Sequence, residues 1–202
     1  MNTSQPIKHE LYPDPHHDLY SRTRFGFWLY LMTDFVLFAT LFATYAVLSN
    51  STFGGPSIRE LFKPPSELWP AIILLSSSLT VGLGTAMAHR KHKLWTIALF
   101  GITFALGVLF LWMELSDMLS LVREGNGWQR SAFLSAYFTL IGTHAIHVIF
   151  ALIWVIVLII PVLIEGVTHI SLRRLVCLKM FWQFLNIIWI FIFSFVYLMG
   201  VV

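Results

Sequence analysis

The chain has 202 residues, of which 57% are hydrophobic and only 11% charged, and its mean hydropathy is +0.77. Soluble domains carry roughly 25% charged residues to cover their surface, so about half of that water-facing charge is missing. This excludes a disordered chain, a disulfide scaffold, a nucleic-acid-binding domain and an ordinary soluble enzyme. The isoelectric point near 9.2 does not point to nucleic acid, because the basic residues sit in short tracts between apolar runs and not along one face. The single Cys177 cannot form an internal disulfide and reads as a small hydrophobe.

Residues 1–24 form a polar tail with three prolines and three histidines. The tail has no apolar run of the kind a cleavable signal peptide needs. Beyond it, five apolar runs are each long enough to cross a bilayer, which takes ~20 residues of helix. They predict helices over about 25–48, 68–88, 94–115, 131–161 and 179–201. Barrel strands of ~10 alternating residues do not fit these continuous runs, and a helix satisfies its own backbone in lipid. The expected fold is an all-α integral membrane protein, with residues 25–202 as one five-helix domain. The connectors carry the turn residues: Gly54-Gly55-Pro56, the tight His89–Lys93 segment, Gly125-Asn126-Gly127 and a basic stretch over 162–179.

Lys and Arg counted by side set the orientation. Nine fall in the tail and the second and fourth connectors, and four in the first and third. The N-terminus is expected in the cytoplasm and the C-terminus in the periplasm. Trp28, Trp69, Trp95 and Trp182 lie near predicted helix ends, as an aromatic belt requires. In the second helix, Ser78, Gly82 and Ala86 recur every four residues, with Gly84 and Ala88 beside them. Small residues so spaced let helices approach, although Gly and Ala are also simply common in membrane helices.

Ionisable groups inside lipid are costly, and so are candidates for function. Asp34 lies about ten residues into the first helix, roughly 15 Å deep in a ~30 Å core. A carboxyl there is protonated, paired or facing a wet cavity. It reads either as a proton-handling group or as a neutral acid bonded to a neighbouring helix. His144 and His147 share one face of the fourth helix. No histidine in another helix interior opposes them as haem ligation needs, and the Glu-x-x-His pairs of a di-iron bundle are missing. Interhelical hydrogen bonding is the expected role, and no metal site is expected. Glu114 and Asp117 end the third helix, where an interface would solvate them. Gln183 and Asn186, also three apart, are neutral and suit hydrogen bonds across helices. No catalytic constellation of its own is visible in the chain.

Several segments resemble a known family. Arg24-Phe25-Gly26-Phe27-Trp28, followed by Leu31-Met32-Thr33-Asp34-Phe35-Val36-Leu37-Phe38, is similar to the opening helix of subunit III of haem-copper terminal oxidases. Gly142-Thr143-His144-Ala145-Ile146-His147-Val148 resembles its paired-histidine motif, and Phe181-Trp182-Gln183-Phe184-Leu185-Asn186 its last-helix motif. Five helices, Phe42–Leu48, Gly54-Gly55-Pro56 and the ending Val196-Tyr197-Leu198-Met199-Gly200 most resemble the family's bacterial cytochrome bo-type ubiquinol oxidase branch. The chain departs at Ala145, where the family has Gly, and at Gln183 and Asn186, where it has His and Asp. The last two remove titratable groups and leave hydrogen-bonding capacity.

The resemblance implies an accessory subunit of a complex that oxidises ubiquinol, reduces dioxygen to water and pumps protons in the bacterial inner membrane. Haems and copper would sit in subunit I and none in this chain, which would contact subunit I directly and share the complex with subunits II and IV. It would bind phospholipid and sustain proton uptake. Asp34 matches the family's intramembrane carboxyl, and Glu114 an acidic position of related quinol oxidase subunits. Arg24 matches a basic residue where a lipid phosphate fits. The alternatives are an accessory subunit of a cytochrome c oxidase or nitric oxide reductase, a stand-alone haem protein, and a stand-alone transporter. A transporter would show an internal repeat or broken helices.

Overall fold

The computed structural model describes residues 15–49, 51–52 and 64–198, with side chains for 22–49, 51–52 and 68–197. Five long helices carry the chain: α1 Pro15–Leu48, α2 Pro64–His89, α3 Lys93–Arg123, α4 Ala132–Glu165 and α5 His169–Ile192. A π-helical turn, Phe193–Leu198, extends α5. All five are long and apolar enough to span a membrane, and no strand occurs among the described residues.

Turn chemistry sets the helix ends. Lys91 adopts φ +58° in the short turn that ends α2. Gly125 (φ +81°) and Gly166 (φ +82°) follow α3 and α4 in the left-handed region that glycine adopts without a Cβ penalty. Ser131 caps α4 by accepting from the Leu134 amide at 3.2 Å. Thr168 caps α5 by accepting from the Ser171 amide at 3.2 Å.

Several helices run past their apolar stretches. α1 begins at Pro15, inside the polar tail, because proline is tolerated in a first turn and no breaker follows before Phe25. α3 continues past its apolar stretch to Arg123, since neither Gly nor Pro occurs between Leu115 and Gly125. α4 passes through Pro161 to Glu165. α5 starts ten residues before its expected start, so the basic segment from His169 is helical and not a connector. Residues 1–14 and the Gly54-Gly55-Pro56 turn lie outside the described residues.

α5 is the central element. In its most apolar window 67% of residues are buried, against 33% or less in the other four. α1, α2 and α4 pack on it, and the outer helices touch in the order α2, α3, α4, α1. That order leaves an open side between α1 and α2. The earlier start of α5 also relocates Trp182. It is 1% exposed, a core residue and not part of a belt, and its indole N–H donates to Ser77 Oγ of α2 at 2.9 Å. Trp69 and Trp95 are exposed within the first two turns of α2 and α3, whereas Trp28, also exposed, lies more than three turns into α1 because that helix starts at Pro15.

In α2, Gly84 and Ala88 face inward while Ala86 faces out. A Cβ on Gly84 would meet the Phe100 ring at 3.1 Å, whereas one on Gly82 would meet nothing within 4 Å. The close approach of α2 and α3 therefore runs through Gly84 and Ala88, not through Ser78, Gly82 and Ala86. Thr80 and Thr103 join these two helices through their hydroxyls at 2.8 Å. At the end of α4, Lys93 Nζ donates to the Leu163 carbonyl at 2.7 Å, supplying one of the donors a helix C-terminus lacks.

Candidate functional site

Asp34 of α1 is 9% exposed. Its Oδ2 lies 4.0 Å from Nε2 of His147 on α4. That is an ion-pair separation, longer than a direct hydrogen bond. Tyr30, one turn earlier on α1, lines the same cleft as His147. The α1–α4 packing that brings Asp34 and His147 together includes Phe27 and Trp154, whose ring centroids are 5.7 Å apart.

The second imidazole nitrogen of His147 also has a partner. His147 Nδ1 stands 2.7 Å from the Thr143 carbonyl, one turn back. A carbonyl can only accept, so Nδ1 carries a hydrogen and donates it. In neutral His147, Nε2 is then a bare acceptor facing a carboxyl. Asp34 and His147 stand as a facing carboxyl–imidazole pair, at ion-pair but not hydrogen-bond distance.

His144 does something else, although it is only three residues away. It is fully buried, and its Nε2 donates to the Leu185 carbonyl of α5 at 3.2 Å. Its ring lies against Phe110 and Trp189, with centroids 5.9 Å and 5.2 Å away. Phe38 sits beside both histidines, 5.2 Å from His147 and 6.4 Å from His144. Among the described residues, no three His, Cys, Asp or Glu side chains converge as a metal site would require. Each histidine already spends one ring nitrogen on a backbone carbonyl, and the two do not share a target.

The remaining candidates are dispersed. Glu114 is 1% exposed, on α3 one turn beyond Phe110, so it is a core residue and not a solvated interfacial one. Asp117 is exposed. Asn186 is 4% exposed, and its amide donates to the Trp182 carbonyl of its own helix at 2.8 Å. Gln183 is exposed. Neither makes a hydrogen bond to another helix among the described residues. Arg24 is exposed on α1.

Two adjoining clefts open beside the pair. One, about 560 Å³, is almost wholly apolar and lined by Phe27, Tyr30, Ile146, His147, Phe150, Ile153, Trp154 and Phe181. The other, about 620 Å³, shares Phe27, Tyr30 and Trp154 and adds Arg22, Arg173 and Arg174. In the sequence these three arginines stand out only as charges that set orientation. Their convergence depends on the helical start of α5, which no apolar run signals.

Fold and site together define a polytopic helical membrane protein with a carboxyl–imidazole pair held inside its bundle. Residues 14–201 match the family model for cytochrome c oxidase subunit III. A cytochrome bo(3) ubiquinol oxidase subunit 3 of Pseudomonas aeruginosa is 50% identical over 187 residues, covering 93% of this chain and 90% of the relative. One from Pseudomonas putida is 43% identical, covering 92% and 89%. A cytochrome c oxidase subunit 3 of a Bacillus species is 41% identical, covering 94% and 92%. The chain belongs to the cytochrome c oxidase subunit III family. It is a multi-pass protein of the bacterial inner membrane that associates with other oxidase subunits.

Proposed function

We propose that this chain is the accessory subunit III of a proton-translocating, cytochrome bo-type ubiquinol oxidase. The observation that carries the reading is the 50% identity to a cytochrome bo(3) ubiquinol oxidase subunit 3 over 93% of this chain, and the Asp34–His147 pair beside an open cleft supports a part in proton handling. Such a pair can take up or release a proton at Nε2 or Oδ2 with little rearrangement, and burial of the neutral pair costs far less than burial of a lone charge. The chain's part is to support subunit I, bind lipid and sustain proton uptake; subunits II and IV complete the complex. Haems and copper belong to subunit I.

The two clefts suit a phospholipid. Arg22, Arg173 and Arg174 offer cationic donors to a phosphate, and the adjoining apolar cleft accepts acyl chain. These three residues make a better phosphate site than Arg24, which stands outside the cleft lining. The distribution of Lys and Arg supports a cytoplasmic position for this basic end, and with it the N-terminus.

A cytochrome c oxidase is the second reading, favoured by the Bacillus relative. The purified complex decides between them. It is expected to oxidise ubiquinol and to leave reduced cytochrome c untouched; the reverse preference would assign it to the second class.

A further inference from the structure

Gln183 is placed where a membrane protein should not leave it. Phe181 contacts His147 (ring centroids 6.4 Å) and Phe184 contacts Phe38 (6.3 Å). Gln183 therefore lies level with the stretch from Asp34 to Phe38, roughly 14–20 Å into an apolar run that begins at Phe25, near the middle of the bilayer. It is exposed, and its amide makes no hydrogen bond among the described residues. A carboxamide in hydrocarbon gives up its hydrogen bonds to water with nothing in exchange. The feature sits on the helix that is otherwise most enclosed. Ile187 (51% exposed) and Ile190 (46%) continue the same face at helical spacing, on the open side of the bundle between α1 and α2. The exposed threonines of α1 differ, because Thr33, Thr40 and Thr44 each donate to a carbonyl of their own helix.

We infer that Gln183, Ile187 and Ile190 form the docking face for a transmembrane helix of a companion oxidase subunit, the Gln183 amide hydrogen-bonding to a hydroxyl or carboxamide side chain on it. The inference rests on the accessory-subunit reading. It follows from polar satisfaction: Gln183 both donates and accepts, so a helix carrying Ser, Thr, Asn or Gln at this depth satisfies it, while an acyl chain cannot. The isoleucines then pack as the apolar flank of a polar-centred contact.

The test is site-specific photocrosslinking in the assembled complex in native membranes. Benzoylphenylalanine replaces Gln183 or Ile187, and Trp112 on the outer face of α3 serves as the control. Both α5 positions are expected to form adducts with one companion subunit, mapping to a transmembrane segment, at several times the yield at Trp112. Gln183→Leu is expected to lower retention of that subunit through detergent washing at least three-fold, and Gln183→Asn to restore most of it. Adducts only with lipid or with a second copy of this chain, or no adduct from either position, would overturn the inference. So would equal retention in the Leu and Asn variants. A tagged wild-type chain that brings no quinol-oxidising partner at all would instead overturn the reading on which the inference rests.

Discussion

At the residue scale the chemistry narrows to Asp34 and His147. Thr143 holds His147 in the tautomer that leaves Nε2 facing the carboxyl. If the two side chains act as one proton site, removing either removes the whole function. Asp34→Asn and His147→Gln are each expected to leave the complex assembled but to quicken the loss of turnover during cycling, several-fold. The double variant is expected to decay no faster than the worse single one, the signature of residues acting as a unit. Decay rates of the purified complex measure this, and multiplying effects would mean separate roles. Asp34 and the histidine pair were legible in the sequence because ionisable groups in lipid are rare and costly. Which histidine faces Asp34 was not. Both lie on one helix face, and only the packing of α1 against α4 separates His147 from a His144 committed to Leu185.

At the element scale the bundle depends on close contacts around α5. A Cβ on Gly107 of α3 would stand 2.7 Å from the Trp182 ring and 2.9 Å from Leu152. Trp182 cannot swing away without giving up its bond to Ser77. Gly107→Ala is therefore expected to destabilise the protein by about 1–3 kcal/mol. Gly101→Ala, where nothing lies within 4 Å of the added atom, should cost nothing and could gain helix propensity. Thermal unfolding of the detergent-solubilised complex separates the two, and equal midpoints would contradict the packing described for α3 and α5. Hydropathy made the five helices legible, because a bilayer demands an apolar run. Their true ends were not, because a helix runs on into polar sequence until a turn residue stops it. The polar starts of α1 and α5 and the polar end of α3 all follow this rule. Each one shifts where a side chain lands, as Trp182 and the Arg173–Arg174 pair show.

At the scale of the whole molecule, Arg22, Arg24, Arg90, Lys91, Lys93, Arg173 and Arg174 lie at one end of the bundle and Arg123 and Arg130 at the other, and large apolar side chains cover its outer faces. Cysteine introduced at Lys91 is expected to react with an impermeant reagent only from the cytoplasmic side, and cysteine at Gly127 only from the periplasmic side. The opposite pattern would invert the orientation. Exposed large apolar side chains on every outer helix suit lipid and neighbouring subunits. The most direct measurement is purification through a tag on this chain in a gentle detergent, with a reduced-minus-oxidised spectrum and an assay of ubiquinol oxidation. A subunit of the proposed complex brings haem bands with a large companion subunit, oxidises ubiquinol, and loses durable turnover when this chain is stripped away. A chain that purifies alone and colourless, or a complex whose turnover is indifferent to its removal, would contradict the account.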